Sequence, residues 1–442
     1  MFDLADKIRK SNRINVGSEK LNFFLRFVKD SKNSVFIVYL SSNIVSALIG
    51  FLMVPIVTRL LTPEEYGAFS IFQTFIAAFG IFVGLNGKGL ILRNLFDENK
   101  SSDIKHYISG SMSIALLSSL VISVLLIIFL IFFDININSE FIFIALVIAF
   151  FTYLIDLRKI IHQGMSQPLM YSFYQIGSTL MTLIFVFVFM QYYSFGLDGR
   201  VLSALLGPAL FFIAALYSFK RSDFLSWGVP KANVYKELLK FGIPMLPYSI
   251  FGVGFLYVDR WVVASKIGMH EVGLYSAAIQ LILPITIFFD SLAKAYSPWL
   301  YRKLSDKENH FSLIRHQVLL IAALAIMLAP GYFILKFLAD VIFPQEYHIG
   351  SSLFFIIYVS YSIIGIYRII NTSLFYFLKT KHISAITSLC FFIYIASLLL
   401  LVDDFGLIGV ATSYLISSIS HLLLTIIDSF IVDRNDRNLC LR

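Results

Sequence analysis

The chain has 442 residues, of which 58% are hydrophobic and 14% charged, with a formal net charge of +8. Soluble domains carry about 25% charged residues, so the composition excludes a set of soluble domains. The roughly three cores that this length would otherwise suggest give way to one helical unit facing lipid. Aromatic-basic patches on a polar surface are missing, so the positive excess reads as a topology signal and not as a nucleic-acid surface.

Residues 1–33 carry many charges and no apolar core, which predicts a cytoplasmic amino-terminal tail instead of a cleavable signal peptide. Apolar runs long enough to cross a core of about 30 Å, some 20 residues each, follow near 35–61, 66–92, 107–133, 140–161, 169–193 and 200–219. These six predict a first bundle over 34–219. A basic connector at 220–241 separates them from runs near 242–267, 272–298, 317–338, 351–378, 383–402 and 407–431, a second bundle over 242–432. Residues 433–442 form a short cytoplasmic tail.

The runs lack the alternation and short length of barrel strands, and backbone polar groups in lipid must be satisfied within the segment. The predicted class is therefore all-α, with about twelve transmembrane helices in two parallel six-helix bundles. With the amino terminus inside, 27 of the 35 Lys and Arg fall in the tails and in connectors on one face, which predicts that both termini are cytoplasmic. Connectors on the opposite face, such as 62–65 and 403–406, are too short for a folded domain, so the work must be done inside the bilayer. Two cysteines make no disulfide framework. The eight histidines show no metal-ligand spacing, and no phosphate loop or dinucleotide fingerprint is present, so neither metal nor cofactor is expected.

Glu65-Tyr66-Gly67-Ala68-Phe69-Ser70 returns 206 positions later as Glu271-Val272-Gly273-Leu274-Tyr275-Ser276, each opening a helix after a short turn. Local grammar accounts for each copy: Thr62 can cap, Pro63 suits the first helical position and Glu65 completes a capping box, while Gly67 allows close helix approach. A shared place in a six-helix unit asks for more, an internal repeat about an axis along the membrane normal, as in transporters with a site between halves.

The stretch Pro55-Ile56-Val57-Thr58-Arg59-Leu60-Leu61-Thr62-Pro63-Glu64-Glu65-Tyr66-Gly67 resembles the first-helix signature of the polysaccharide transporter family, the Wzx-type flippases of O-antigen and related glycans. Val258-Asp259-Arg260, Glu271 to Ser276 and Ala295-Tyr296-Ser297-Pro298 resemble its second-half pattern. The resemblance implies membership of the multidrug/oligosaccharidyl-lipid/polysaccharide exporter superfamily: two six-helix bundles around a cationic cavity in the cell inner membrane. The implied task is flipping a polyprenyl-pyrophosphate-linked repeat unit for lipopolysaccharide or capsule assembly, with a glycan polymerase and chain-length proteins as partners. The tail of about 33 residues is longer than that family would suggest.

An ionisable group at the bilayer centre costs at least about 2.5–3.5 kcal/mol, so those that persist face a cavity or a partner. Arg59, Lys88, Arg260, Lys294 and Arg368 are the candidate pyrophosphate ligands. For Arg59, Lys88 and Lys294, near helix ends, snorkelling to the interface is the competing reading. Arg260 lies about 18 residues into its predicted helix, some 27 Å along it, and Arg368 has no partner nearby in sequence. Asp259 and Asp290 are the candidates for proton or sodium coupling, although Asp290 and Lys294, one turn apart, could instead neutralise each other. Asp259 and Arg260, adjacent and about 100° apart on a helix, need not pair. Pro55, Pro244 and Pro247 are expected to bend their helices.

Two rival classes stay open. A multidrug exporter of the same superfamily would favour acidic over basic cavity residues. A membrane-embedded glycan polymerase would need catalytic groups on a sizeable outer loop, which the connectors do not provide, so no enzymatic activity is expected.

Overall fold

The computed structural model describes residues 31–95, 103–132, 139–222, 224, 230–305, 310–376 and 380–440. The expected tail over 1–33 lies almost wholly outside the described residues. Among those described there is no strand, and the chain folds as thirteen helices: α1 (Ser31–Leu60), α2 (Pro63–Phe82), α3 (Gly87–Leu95), α4 (Ile104–Phe132), α5 (Ser139–Gly164), α6 (Pro168–Val186), α7 (Gly196–Arg221), α8 (Ala232–Gly242), α9 (Leu246–Lys266), α10 (Met269–Ser305), α11 (His310–Ile342), α12 (Ser351–Tyr376) and α13 (Thr380–Cys440). The described parts of the twelve apolar runs are largely helical, with the run near 66–92 broken at Val83–Asn86. Among the described residues ten segments are long and apolar enough to cross a membrane, which makes this a multi-pass membrane protein. One of the ten, His382–Ser429, takes in two of the runs and is broken at Gly406, whose φ of 54° and ψ of −134° are open to glycine alone.

Lipid tails are as apolar as leucine, so helices associate in a membrane through close packing and small residues. Buried side chains gather in two large cores. One is built from α2 to α8, including Phe72, Ile108, Leu157, Phe219 and Leu238. The other is drawn from α9 to α13 with Ile71 of α2, and includes Tyr275, Ile282, Phe354, Tyr394 and Val410. α1 lies along α6, tied by Ser46 Oγ to Thr179 Oγ1 at 2.7 Å and by a short Ser42–Ser172 hydroxyl contact. The connector holds more than linker: α8 buries Val234 and Leu238 against the first core.

The two repeat copies meet each other. A Cβ placed on Gly67 would lie 2.1 Å from the Met269 carbonyl oxygen, and one on Gly273 would lie 1.9 Å from that of Pro63. Met269 is Pro63 shifted by 206, so the starts of α2 and α10 cross about a local two-fold relation, backbone on backbone. Glu64 Oε1 and His270 Nδ1, again 206 apart, meet at 2.7 Å over the crossing. The expected capping box is formed, with Glu65 N donating to Thr62 Oγ1 at 3.3 Å and Thr62 N donating to Glu65 Oε2 at 3.0 Å. Tyr347, on the turn before α12, closes the same end by donating its hydroxyl to the Leu61 carbonyl at 2.9 Å. This end is called the joined end below, and the opposite one the far end.

Pro55 lies inside α1. Pro244 sits in the 3-10 turn Ile243–Met245 and Pro247 in the first turn of α9, where proline's lost donor costs least. Together they separate α8 from α9 rather than bending a continuous helix.

Gly67→Val and Gly273→Val are each expected to force α2 and α10 apart and to lower stability by about 1–3 kcal/mol, read as a lower melting temperature in detergent. Because both changes load one crossing, the double variant is expected to fall short of the sum. Melting unchanged in both would mean that the helices do not cross here.

Candidate functional site

α2 ends in an abrupt break. Gly84, Leu85 and Asn86 have φ of 71°, 45° and 56°, and left-handed conformation in two consecutive non-glycine residues is strained. The surroundings impose it. Ser118 Oγ accepts from Gly84 N at 3.2 Å, the Tyr153 hydroxyl donates to the Gly84 carbonyl at 3.3 Å, and the Tyr153 ring would lie 2.0 Å from a Cβ at this glycine. Asn86 Nδ2 reaches across to Ser249 Oγ of α9 at 3.2 Å. The break turns the chain into α3 and aims Lys88 at α5, where its Nζ meets Asp156 Oδ2 at 2.9 Å. Lys159 takes the other oxygen of Asp156 at 2.8 Å, and Lys88 also stands 5.0 Å from the centre of the Tyr153 ring.

The second core carries a counterpart of opposite polarity. Asp290 of α10 meets Arg368 of α12 at 2.5 Å. In the first half the cation follows the α2 break and the acid lies on α5. In the second the acid lies on α10 and the cation on α12, so each half spans the equivalent pair of helices with the charges exchanged. Arg368, without a partner in sequence, has one 78 residues away. All four side chains are partly exposed, from 27% for Lys88 to 48% for Asp290.

Arg260 is placed differently. α9 begins at Leu246, so this residue lies 14 positions in and six from the helix end, nearer the joined end than the longer predicted helix implied. Adjacent residues do meet here: the side chain curls back so that Nη1 lies 3.3 Å from Asp259 Oδ1, and it also donates to the Leu256 carbonyl. Asp259 is only 3% exposed, among the phenols of Tyr275 and Tyr394. Tyr394 in turn packs on Tyr414, and Tyr414 on Tyr361, at ring distances of 5.4 and 5.2 Å.

Arg59 is exposed in the last turn of α1. Lys294 lies on α10, with its side chain outside the described residues. The structure thus brings together Lys88 with Asp156, Arg368 with Asp290 and Arg260 with Asp259, and leaves Arg59 apart from them. Sequence reasoning missed Asp156, which sits in an apolar run two residues before the basic pair Arg158-Lys159 and was absorbed into a topology signal. It also missed Arg158, buried between α5 and α7, where Ser218 and Ser222 accept from it at 3.0 and 2.8 Å. A groove of about 1450 Å³ runs along α4 between the end of α2 and α8, lined by Phe82, Leu117, Val121, Leu125 and Phe132 among others. It holds no charged group, so it is not where an ionic ligand would be met.

The family profile described as polysaccharide biosynthesis protein matches residues 34–304, and the chain belongs to that family. It is 26% identical over 394 residues to Lsg locus putative protein 1 of Haemophilus influenzae, covering 85% of this chain and 92% of that one. A putative O-antigen transporter of Shigella flexneri is 24% identical over 241 residues, 54% of this chain and 57% of that one. The fold is that of an inward-facing multidrug resistance MATE family transporter of the MOP superfamily, with a TM-score of 0.71 at 14% identity, covering 90% of this chain and 99% of that one. It is equally that of the lipid II flippase MurJ in an inward closed conformation, with a TM-score of 0.67 at 17% identity and 90% of each chain covered.

Asp290→Arg is expected to place two guanidinium groups face to face and to lower the melting temperature, and the exchange Asp290→Arg with Arg368→Asp to recover it. A double-mutant cycle should return a coupling of about 0.5–3 kcal/mol; additive effects would mean that the two side chains do not interact.

Proposed function

We propose that this protein is a flippase that carries a polyprenyl-pyrophosphate-linked oligosaccharide repeat unit across the cell inner membrane for O-antigen or capsule assembly. The observation that carries this reading is the set of cations on candidate membrane-spanning segments of both halves, each against a carboxylate. Lys88 and Arg368 stay partly accessible, and a pyrophosphate arriving between them can compete for cations that are already desolvated in part, because two negative charges outweigh one carboxylate. Their carboxylates keep the empty protein tolerable in lipid. Family membership and the O-antigen transporter relative support a glycan as the cargo.

The mechanism proposed is alternating access. The joined end faces outward, as the Lys and Arg count predicts, with both termini cytoplasmic. The headgroup enters from the far end, is taken up by Lys88 and Arg368, and moves on to Arg260; Lys294, on the same helix as Asp290, is proposed as a further ligand. Rocking of the two halves then parts the α2–α10 crossing and opens the joined end. The protein acts as a carrier and forms no covalent intermediate. Arg59, exposed at the end of α1, meets lipid phosphate at the outer interface. Asp259, enclosed by phenols, is the proposed site for a coupling proton or sodium ion, with Asp290 engaged by Arg368. A glycan polymerase and chain-length proteins take the product.

Cells lacking the protein are expected to lose surface polysaccharide, to accumulate the lipid-linked unit at the cytoplasmic face, and to keep their drug tolerance. Intact polysaccharide with new sensitivity to amphipathic cations would instead assign a multidrug exporter. In vesicles, Asp259→Asn is expected to remove the response of transport to an imposed ion gradient; a retained response would place coupling elsewhere.

A further inference from the structure

One buried cation remains that nothing above uses. Arg200, at the start of the second turn of α7, is 8% exposed, and neither its Nε nor its Nη1 has a hydrogen-bond partner. Arg158, buried to a similar degree, leaves its Nη1 unpaired but has serine acceptors at Nε and Nη2. Arg200 has only the face of Phe69, 4.1 Å from its guanidinium carbon. A cation over a ring recovers part of the cost of burial, but the N–H groups of Nε and Nη1 stay unsatisfied, which a packing role alone does not require. The amino terminus of the 26-residue helix α7 adds positive potential at the same place.

Its surroundings tie Arg200 to the seam between halves. Phe69 and Tyr66 lie one turn apart on α2, and the Tyr66 hydroxyl is within electrostatic reach of both Arg200 and Arg260. On its other side Tyr66 packs edge-on against Tyr347, 6.0 Å between ring centres, under the Gly67–Gly273 crossing. Tyr66 and Tyr347 thus stand at the joined end between the two halves, with Arg260 in reach from the second and Arg200 from the first. Lys88, Arg368 and Arg260 each have a carboxylate; Arg200 has none among the described residues.

We propose that Arg200 is an anion-binding residue of the transport pathway, unpartnered in this conformation and engaged by the phosphate of the cargo when the α2–α10 crossing opens. An anion handed from Arg260 past Tyr66 would meet a cation with no competing carboxylate, so the step toward the joined end is favoured by the donors left empty here. The inference rests on the flippase reading above and adds the group that receives the headgroup on the side of release.

The test uses the full chain reconstituted in liposomes and a fluorescent short-chain isoprenyl pyrophosphate, with transbilayer movement followed by quenching from one side. Arg200→Met and Arg200→Gln are expected to lower turnover about tenfold or more at unchanged KM, because uptake from the far end is untouched, while Arg200→Lys keeps most of the rate. Melting temperatures of the variants are measured alongside. Wild-type turnover in Arg200→Met, or an Arg200→Lys variant that loses rate and melting temperature as fully as Arg200→Met, would overturn the proposal in favour of packing on Phe69. A wild-type protein that does not move the probe above protein-free liposomes would overturn the flippase reading and this inference with it.

Discussion

Moving a carboxylate or guanidinium from water into hydrocarbon costs several kcal/mol even after relaxation, and the charged interior of this protein is arranged around that cost. Asp156 holds two lysines, Asp290 holds Arg368 and Asp259 holds Arg260. A carboxylate beside each cation lowers the penalty of burying it. Partial exposure of the Lys88 and Arg368 pairs keeps them exchangeable, whereas the Asp259–Arg260 pair is nearly closed off.

The arrangement of those charges depends in turn on one crossing. Two glycines let α2 and α10 touch backbone to backbone, and any side chain there would separate the halves. Below the crossing the helices diverge in character: α2 is broken at Gly84 to Asn86, held by Tyr153, Ser111 and Ser118, and α10 continues unbroken to Ser305. The two copies thus meet backbone to backbone at the joined end, while toward the far end the charge pairs of the two halves have opposite polarity. The duplicated framework carries its charge pairs on equivalent helices with the signs exchanged.

The sequence alone determined the helical class, because apolar runs of membrane length leave no other way to satisfy the backbone, and it located the runs that became helix among the described residues. It also determined the capping box of Thr62 and Glu65, an interaction closed within four residues, and the repeat of Gly67 in Gly273, which is visible as text. Resemblance in the first helix pointed to the family that the profile match then established. Tertiary structure decided what no local window contains. Asp156 became a partner of Lys88 across 68 residues, and Arg368 of Asp290 across 78. Only the fold left Arg200 without a hydrogen-bonding partner in a closed seam. Helix formation is a contest between a residue and its near neighbours, which a sequence lists in order; charge pairing in a membrane is settled by which helix faces which, and that follows from the packing of the whole chain.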